Sequence, residues 1–324
     1  MSLKKVSEVI RNNKSFLITS HTNLEGDALG SELAFYKLLR AKGKKAVIVN
    51  EDSLPYGYDF LPGNKVIRKL SHNLKNIKFD VFVVLDCSDL KRPGEVYKLN
   101  TANKPVLNID HHISNSKFGD INWVDPKSSC CCEMIYRIYK ELEVAIDKDS
   151  ALCIYVGLAT DTGHFRYTNT TSATHEIVSD LLKYKVDVSR IYRHLYGDVP
   201  FSDMQLVSEV LKSMSRESDG RLIYFEMTKA MLKEHKKIVI DLGDYILSFG
   251  RAIKEAEVVV LFKENLSKDN QIRVNFRSHG KVNVNEIAKA FGGGGHFTAS
   301  GCTIKGSLDS VKNRVLNKIK ETLK

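Results

Sequence analysis

At 324 residues the chain exceeds what one compact core usually holds, so two domains are expected. Hydrophobic residues at 43%, charged residues at 27% and only six prolines exclude a disordered or low-complexity protein, and no window nears the roughly 18 uninterrupted apolar residues of a membrane helix. The 49 Lys plus Arg against 39 Asp plus Glu give a net charge of +10, which favours partners carrying phosphate, although charge alone fits any basic soluble enzyme equally well.

The first residues scatter charge where a secretory leader would have an apolar core, and the six cysteines (87, 130, 131, 132, 153 and 302) show no CxxC spacing. Reduced thiols in a cytoplasmic protein with no membrane segment are expected. SFLITS (15–20) reads as a short strand, and DALGSELAFYKLLRAKG (27–43) as a helix with apolar residues at Leu29, Leu33, Tyr36 and Leu38 or Leu39, ending at Gly43. KAVIVN (45–50), DVFVVLD (80–86) and PVLNID (105–110) read as further strands. Near-continuous apolar runs alternating with helices indicate a mainly parallel sheet flanked by helices, an α/β fold. Helices follow near 130–143 and 149–160. The cysteine triplet opens the first of these, where adjacent side chains diverge around the helix and suit a core better than a zinc site.

The segment 189–205 lacks a strong core pattern and is the expected connector between domains spanning 1–188 and 206–324. Beyond it, strands at 221–227, 256–264 and 271–278, a helix at 283–292, a glycine run, a strand at ASGCTI and a final basic helix predict a smaller α+β domain.

Ligands of open parallel sheets bind at the carboxyl ends of strands. Four clusters are expected there: His21, Glu25 and Asp27; Asp86; Asp110, His111 and His112; and Asp161 in GLATDTGHFRY. One such acid alone is usually a cap or turn former. Four together would repel unless a cation sat among them. Carboxylate and imidazole donors suit Mn²⁺, with Mg²⁺, Co²⁺ or Zn²⁺ as substitutes, and two such ions would serve phosphoester hydrolysis.

DHH at 110–112, preceded by HTNLEGDALGS (21–31) and followed by TDTGHFRY, resembles the DHH phosphoesterase superfamily, and FGGGGHFTASG (291–301) resembles its DHHA1 domain. The compact two-domain length is most similar to the nanoRNase and pAp phosphatase group. The resemblance implies one metal on His21, Glu25 and Asp86 and a second on Asp27, Asp86, His111 and Asp161, with Asp86 bridging. It implies further that His112 faces the scissile phosphate and that Asp110 orients the histidines. Glu25 stands where the family usually has Asp, and Leu24 where it often has Pro. A longer arm carries the same carboxylate; a reading in which it fails to ligate would leave a nucleotide-binding protein with impaired catalysis.

By the same resemblance, Arg277 and Ser278 in NFRSHG grip a phosphate, while Gly293, Gly294, Gly295 and His296 hold the nucleotide. The active site is then expected in a cleft between the domains. The implied partners are short single-stranded RNA, linear dinucleotides and 3′-phosphoadenosine 5′-phosphate (pAp), not long duplex, and the resemblance allows a homodimer. A cyclic-dinucleotide phosphodiesterase is the alternative enzyme. Lys312, Arg314, Lys318, Lys320 and Lys324 of the last helix would attract substrate or simply form a solvated face, the second being favoured.

Overall fold

The computed structural model describes residues 2–74, 77–235, 242–266 and 270–323, and these divide into two compact units, Met1–Leu195 and Tyr196–Lys324. In the first, α1 (Leu3–Asn12) leads into β1 (Ser15–Thr19), α2 (Gly26–Ala41), β2 (Lys45–Asn50), β3 (Ile67–Lys69), β4 (Val81–Leu85), β5 (Val106–Asp110) and β6 (Ile121–Val124). Four helices complete it: α3 (Cys131–Glu141), α4 (Lys148–Asp161), α5 (Ser172–Leu182) and α6 (Val188–Tyr192). The strands form one parallel sheet in the order β3-β2-β1-β4-β5-β6.

Every residue of β4 is buried, as expected of a strand covered on both faces. The two covers differ. Phe16, Ile18, Val83 and Leu85 pack with α2, α3 and α4, whereas Leu17, Phe82 and Val84 pack with Val96 and Leu99 of the short 3₁₀ turn Gly94–Leu99. All six cysteines are free and buried, and the triplet fills the core at the start of α3, as its spacing predicts.

The second unit runs α7 (Phe201–Lys212), β7 (Ser215–Glu217), β8 (Leu222–Met227), α8 (Lys229–Glu234), α9 (Gly243–Arg251), β9 (Val258–Glu264) and β10 (Gln271–Ser278). It ends with α10 (Val284–Ala290), β11 (Gly294–Gly295), β12 (Ala299–Lys305) and α11 (Leu308–Leu323). Its sheet, β11-β12-β10-β9-β8-β7, is antiparallel except for the parallel β8–β9 pair. β9 is buried on both faces: Val258, Val260 and Phe262 join a core with α10 and α11, and Val259 and Leu261 one with α7 and α9. β10 alternates, with Ile272, Val274, Phe276 and Ser278 inward. Among the described residues no helix is long and apolar enough to cross a membrane.

Candidate metal centre

Strand order in the first unit reverses between β1 and β4, so the chain leaves β1 toward the α2 face and β4 toward the other, opening a crevice at their carboxyl ends. His21 follows β1, Asp86 directly follows β4, and Asp110 ends β5 with His111 and His112 beyond it. Asp86 has φ +54, a left-handed turn that redirects the chain at the strand end. Asp161 departs from expectation: it is the last residue of helix α4, not a strand-end residue. It arrives because α2 and α4 pack closely; a Cβ on Gly26 would collide with the Thr160 side chain.

These side chains converge. His21 Nε2 lies 3.3 Å from Asp86 Oδ2 and 4.0 Å from Glu25 Oε1. His111 Nε2 lies 3.4 Å from Asp86 Oδ1, 3.5 Å from Asp161 Oδ2 and 3.9 Å from Asp27 Oδ2. Two sets, His21–Glu25–Asp86 and Asp27–Asp86–His111, each present donor atoms within 4.8 Å of one another, and Asp86 belongs to both. Glu25 occupies the N-cap position of α2 without using its side chain as a cap, so its longer arm reaches toward His21. Asp27 caps a different helix from its own: Cys131 N and Cys132 N at the start of α3 donate to Oδ2 and Oδ1 at 2.6 and 2.8 Å. Each oxygen keeps a further lone pair for a cation.

The electrostatics are unbalanced. Among the described residues no lysine or arginine pairs with Glu25, Asp27, Asp86, Asp110 or Asp161; their ion-pair partners are histidines. Burial and the Asp86 charge raise the pKa of Asp27, and burial raises that of Asp161 well above the usual range, with Asp27, Glu25 and Asp86 adding to it. An acid at a helix C-terminus also opposes the helix dipole. Desolvation first, and then the Asp86 and Asp27 charges, push Glu25 up to about 7. Burial opposes ionisation of Asp86, yet His111 and His21 hold its carboxyl well below the ordinary value. Burial likewise opposes charging of His111, but Asp161, Asp86 and Asp27 raise it well above 6.5. Asp86 Oδ1 is buried without a hydrogen-bond partner. Crowded acids, charged histidines standing in as counter-ions and an orphaned carboxylate oxygen fit a divalent cation.

Behind this set lies a second layer, in which Asp110 and His112 were flagged from the sequence and their further partners were not. His112 Nδ1 is 2.7 Å from Asp110 Oδ1, and Asn115 Nδ2 donates to Asp110 Oδ2 at 2.6 Å and to Asn108 Oδ1 at 2.8 Å. Arg92 Nη1 lies 3.4 Å from His112 Nε2. Glu32, buried in α2, accepts from Asn50 Nδ2 at 2.8 Å. Arg92 had a legible signal, its place in the loop leaving β4; Asn115 and Glu32 had none. Arg166 is exposed with Nε donating to Gly163 O at 2.7 Å.

In the second unit the flagged residues are committed to their own fold. Arg277 pairs with Asp244 and donates from Nη1 to Phe276 O at 2.8 Å. Ser278 faces inward, on the opposite side of β10, and donates to Val282 O at 2.7 Å, so its hydroxyl closes a turn. Gly293 N donates to Ala288 O at 2.9 Å, and Gly294 and Gly295 pair with Gly301 and Ser300. A Cβ on Gly293 would strike the Gly301 carbonyl, so the run is a close approach to β12 before it is an anion cradle. His296 N donates to Ala299 O at 2.7 Å within the same turn. The α11 cations are largely neutralised locally, Lys312 by Glu226 and Asp309, Lys318 by Glu321 and Lys320 by Glu217, while Arg314 lies over the Phe291 ring; Lys324 is outside the described residues.

The model of the DHH family N-terminal domain matches residues 15–158, and that of the DHHA1 domain residues 236–324. The chain is also 30% identical over 323 residues to the bifunctional oligoribonuclease and PAP phosphatase NrnA of Thermus thermophilus, covering 99% of this chain and 94% of that protein. The chain belongs to the DHH family. A second DHH relative, the Bacillus subtilis protein of the same name, is 28% identical over 297 residues, 90% of this chain and 89% of that one. The crystal structure of an exopolyphosphatase-related protein from Bacteroides fragilis matches with a TM-score of 0.90 at 27% identity, over 98% of this chain and 96% of that one. DHH phosphoesterases are metal-dependent, and the acid and histidine clusters of this chain could bind metal.

Proposed function

We propose that this DHH-family chain is a hydrolase that cleaves short oligoribonucleotides and linear dinucleotides to mononucleotides, and pAp to AMP. The relatives that carry the oligoribonuclease and PAP phosphatase name align over nearly the full chain, which supports this substrate class. The observation that carries the chemistry is Asp86, buried and shared between two donor sets. In this reading His21, Glu25 and Asp86 hold one divalent ion, and Asp27, Asp86, His111 and Asp161 the other, with Mn²⁺ the best match to their donors. When bound, such a pair lowers the pKa of water and polarises a phosphoryl oxygen.

The chain's own residues do the rest. Asp110 accepts the Nδ1 proton of His112 and so fixes the tautomer and ring orientation, with Asn115 holding Asp110 in turn. Nε2 of His112 is thereby turned toward substrate, and the imidazolium form would donate from it to the charge developing on phosphate. Arg277 and the glycine–histidine turn hold the remainder of the nucleotide; the mostly buried Arg277 exchanges the exposed Asp244 for a phosphate. The reach of Glu25 toward His21 favours a working enzyme over a binder with impaired catalysis. Cytoplasmic residence, a homodimer and exclusion of long duplex belong to the same proposal.

The test is hydrolysis of 5′-labelled RNA from dimers to 24-mers beside pAp, pGpG and cyclic di-AMP, each with Mn²⁺ and with chelator. Release of mononucleotides fastest from the shortest RNA is expected. Preferential cleavage of cyclic di-AMP, or turnover that survives the chelator, would overturn the reading.

A further inference from the structure

We infer that Arg92 is a phosphate-binding residue of this site, gripping the phosphoryl group that His112 faces. This deepens the function proposed above and rests on it for the nature of the ligand.

Arg92 lies in CSDLKRPG, the loop leaving β4 on one lip of the crevice. Its backbone is held on both sides: its carbonyl accepts from Thr22 N at 2.8 Å, tying this loop to the one after β1, and its N–H donates to Asp89 O at 3.3 Å. Asp89 Oδ1 also accepts from Lys91 N at 2.8 Å, and Pro93 follows with φ fixed near −67. A loop so pinned presents its side chain in one direction. The half-buried guanidinium is aimed at His112, Nη1 standing 3.4 Å from Nε2.

Because Nδ1 of His112 is engaged by Asp110, Nε2 is the ring atom that Arg92 meets. The guanidinium has no carboxylate partner: among the described residues none lies within 4.0 Å of it, although five crowd the same crevice. An arginine beside so many acids that pairs with none of them is placed for an anion from outside, and its planar fork matches two phosphoryl oxygens.

The test is calorimetric titration of AMP into the Mn²⁺-loaded wild type, Arg92→Ala and Arg92→Lys, beside steady-state hydrolysis of an RNA dimer. Arg92→Ala should weaken AMP binding about 10-fold and lower kcat/KM about 100-fold. Arg92→Lys should recover part of each, since an ammonium keeps the charge without the fork. AMP affinity and kcat/KM within twofold of wild type in both variants would overturn the inference while leaving the hydrolase standing. A wild type inert on RNA and pAp that nonetheless loses AMP binding on Arg92→Ala would overturn the hydrolase and support the phosphate site. Failure of wild type to bind AMP would overturn the site. If Arg92→Ala does not fold, Arg92→Lys alone decides by its AMP affinity.

Discussion

At the carboxyl ends of β1, β4 and β5, five carboxylates and three histidines crowd together; among the described residues no lysine or arginine neutralises the acids, and one buried Asp86 oxygen has no hydrogen-bond partner. Around the end of β10 and β11, by contrast, Arg277, Ser278 and the glycine run find partners within their own fold. The first region is complete only with something added; in the second, Arg277 must exchange its Asp244 contact to receive a ligand. Polar residues that fold without satisfying one another mark the chemistry, and polar residues that satisfy one another mark a scaffold adaptable to binding.

The contrast breaks most severely if Asp86 can be lost. Asp86→Ala removes a donor shared by both sets, and turnover of an RNA dimer should fall by at least about 10³-fold; wild-type turnover would refute the shared role. The next largest effect lies in Glu32, whose pKa is pushed up to about 8 by desolvation first, against the Asn50 hydrogen bond. A carboxyl raised in the folded state favours folding fully below its unfolded pKa near 4.5, and that contribution is lost as pH rises toward 8. Wild type should therefore lose stability relative to Glu32→Gln by about 1.4 kcal/mol per pH unit through that window, read from urea unfolding at pH 5, 6.5 and 8. Parallel profiles would show that Glu32 carries no such burden.

In the second region the glycines separate by position. Gly293→Ala should cost about 1–3 kcal/mol in thermal unfolding, because its Cβ meets the Gly301 carbonyl, whereas Gly294→Ala, with its nearest neighbour 3.9 Å away, should be close to neutral. Equal effects would mean the run is not held against β12 as described. The smallest change is at Arg277: Arg277→Ala should raise KM about 10-fold with kcat nearly kept, and a loss confined to kcat would move Arg277 into the chemistry.

Much of the first unit was legible because its physics is local. Continuous apolar runs such as VFVVL mark β4, and acids and histidines placed just past strands mark the cluster. Asp161 was found by type but misplaced on a strand end, since only the packing of α4 on α2 brings a helix terminus there. The second layer was not legible: Asn115 looks like any loop asparagine until its contacts with Asp110 and Asn108 are seen, and Glu32 like any helical glutamate until its burial is. In the second unit, residue identity marked Arg277, Ser278 and the glycines, but side-chain direction decided their use. Successive residues on β10 face opposite ways, which sends Ser278 inward and away from Arg277.

The claim that the first cluster is unbalanced until cations enter is tested most directly by titrating Mn²⁺ into metal-stripped protein by calorimetry, with Asp86→Ala beside it. Two binding events per chain, proton release on binding and a rise in melting temperature with added metal are predicted for wild type, all largely lost in the variant. A wild type that binds no Mn²⁺, or binds it as well without Asp86, would contradict the account.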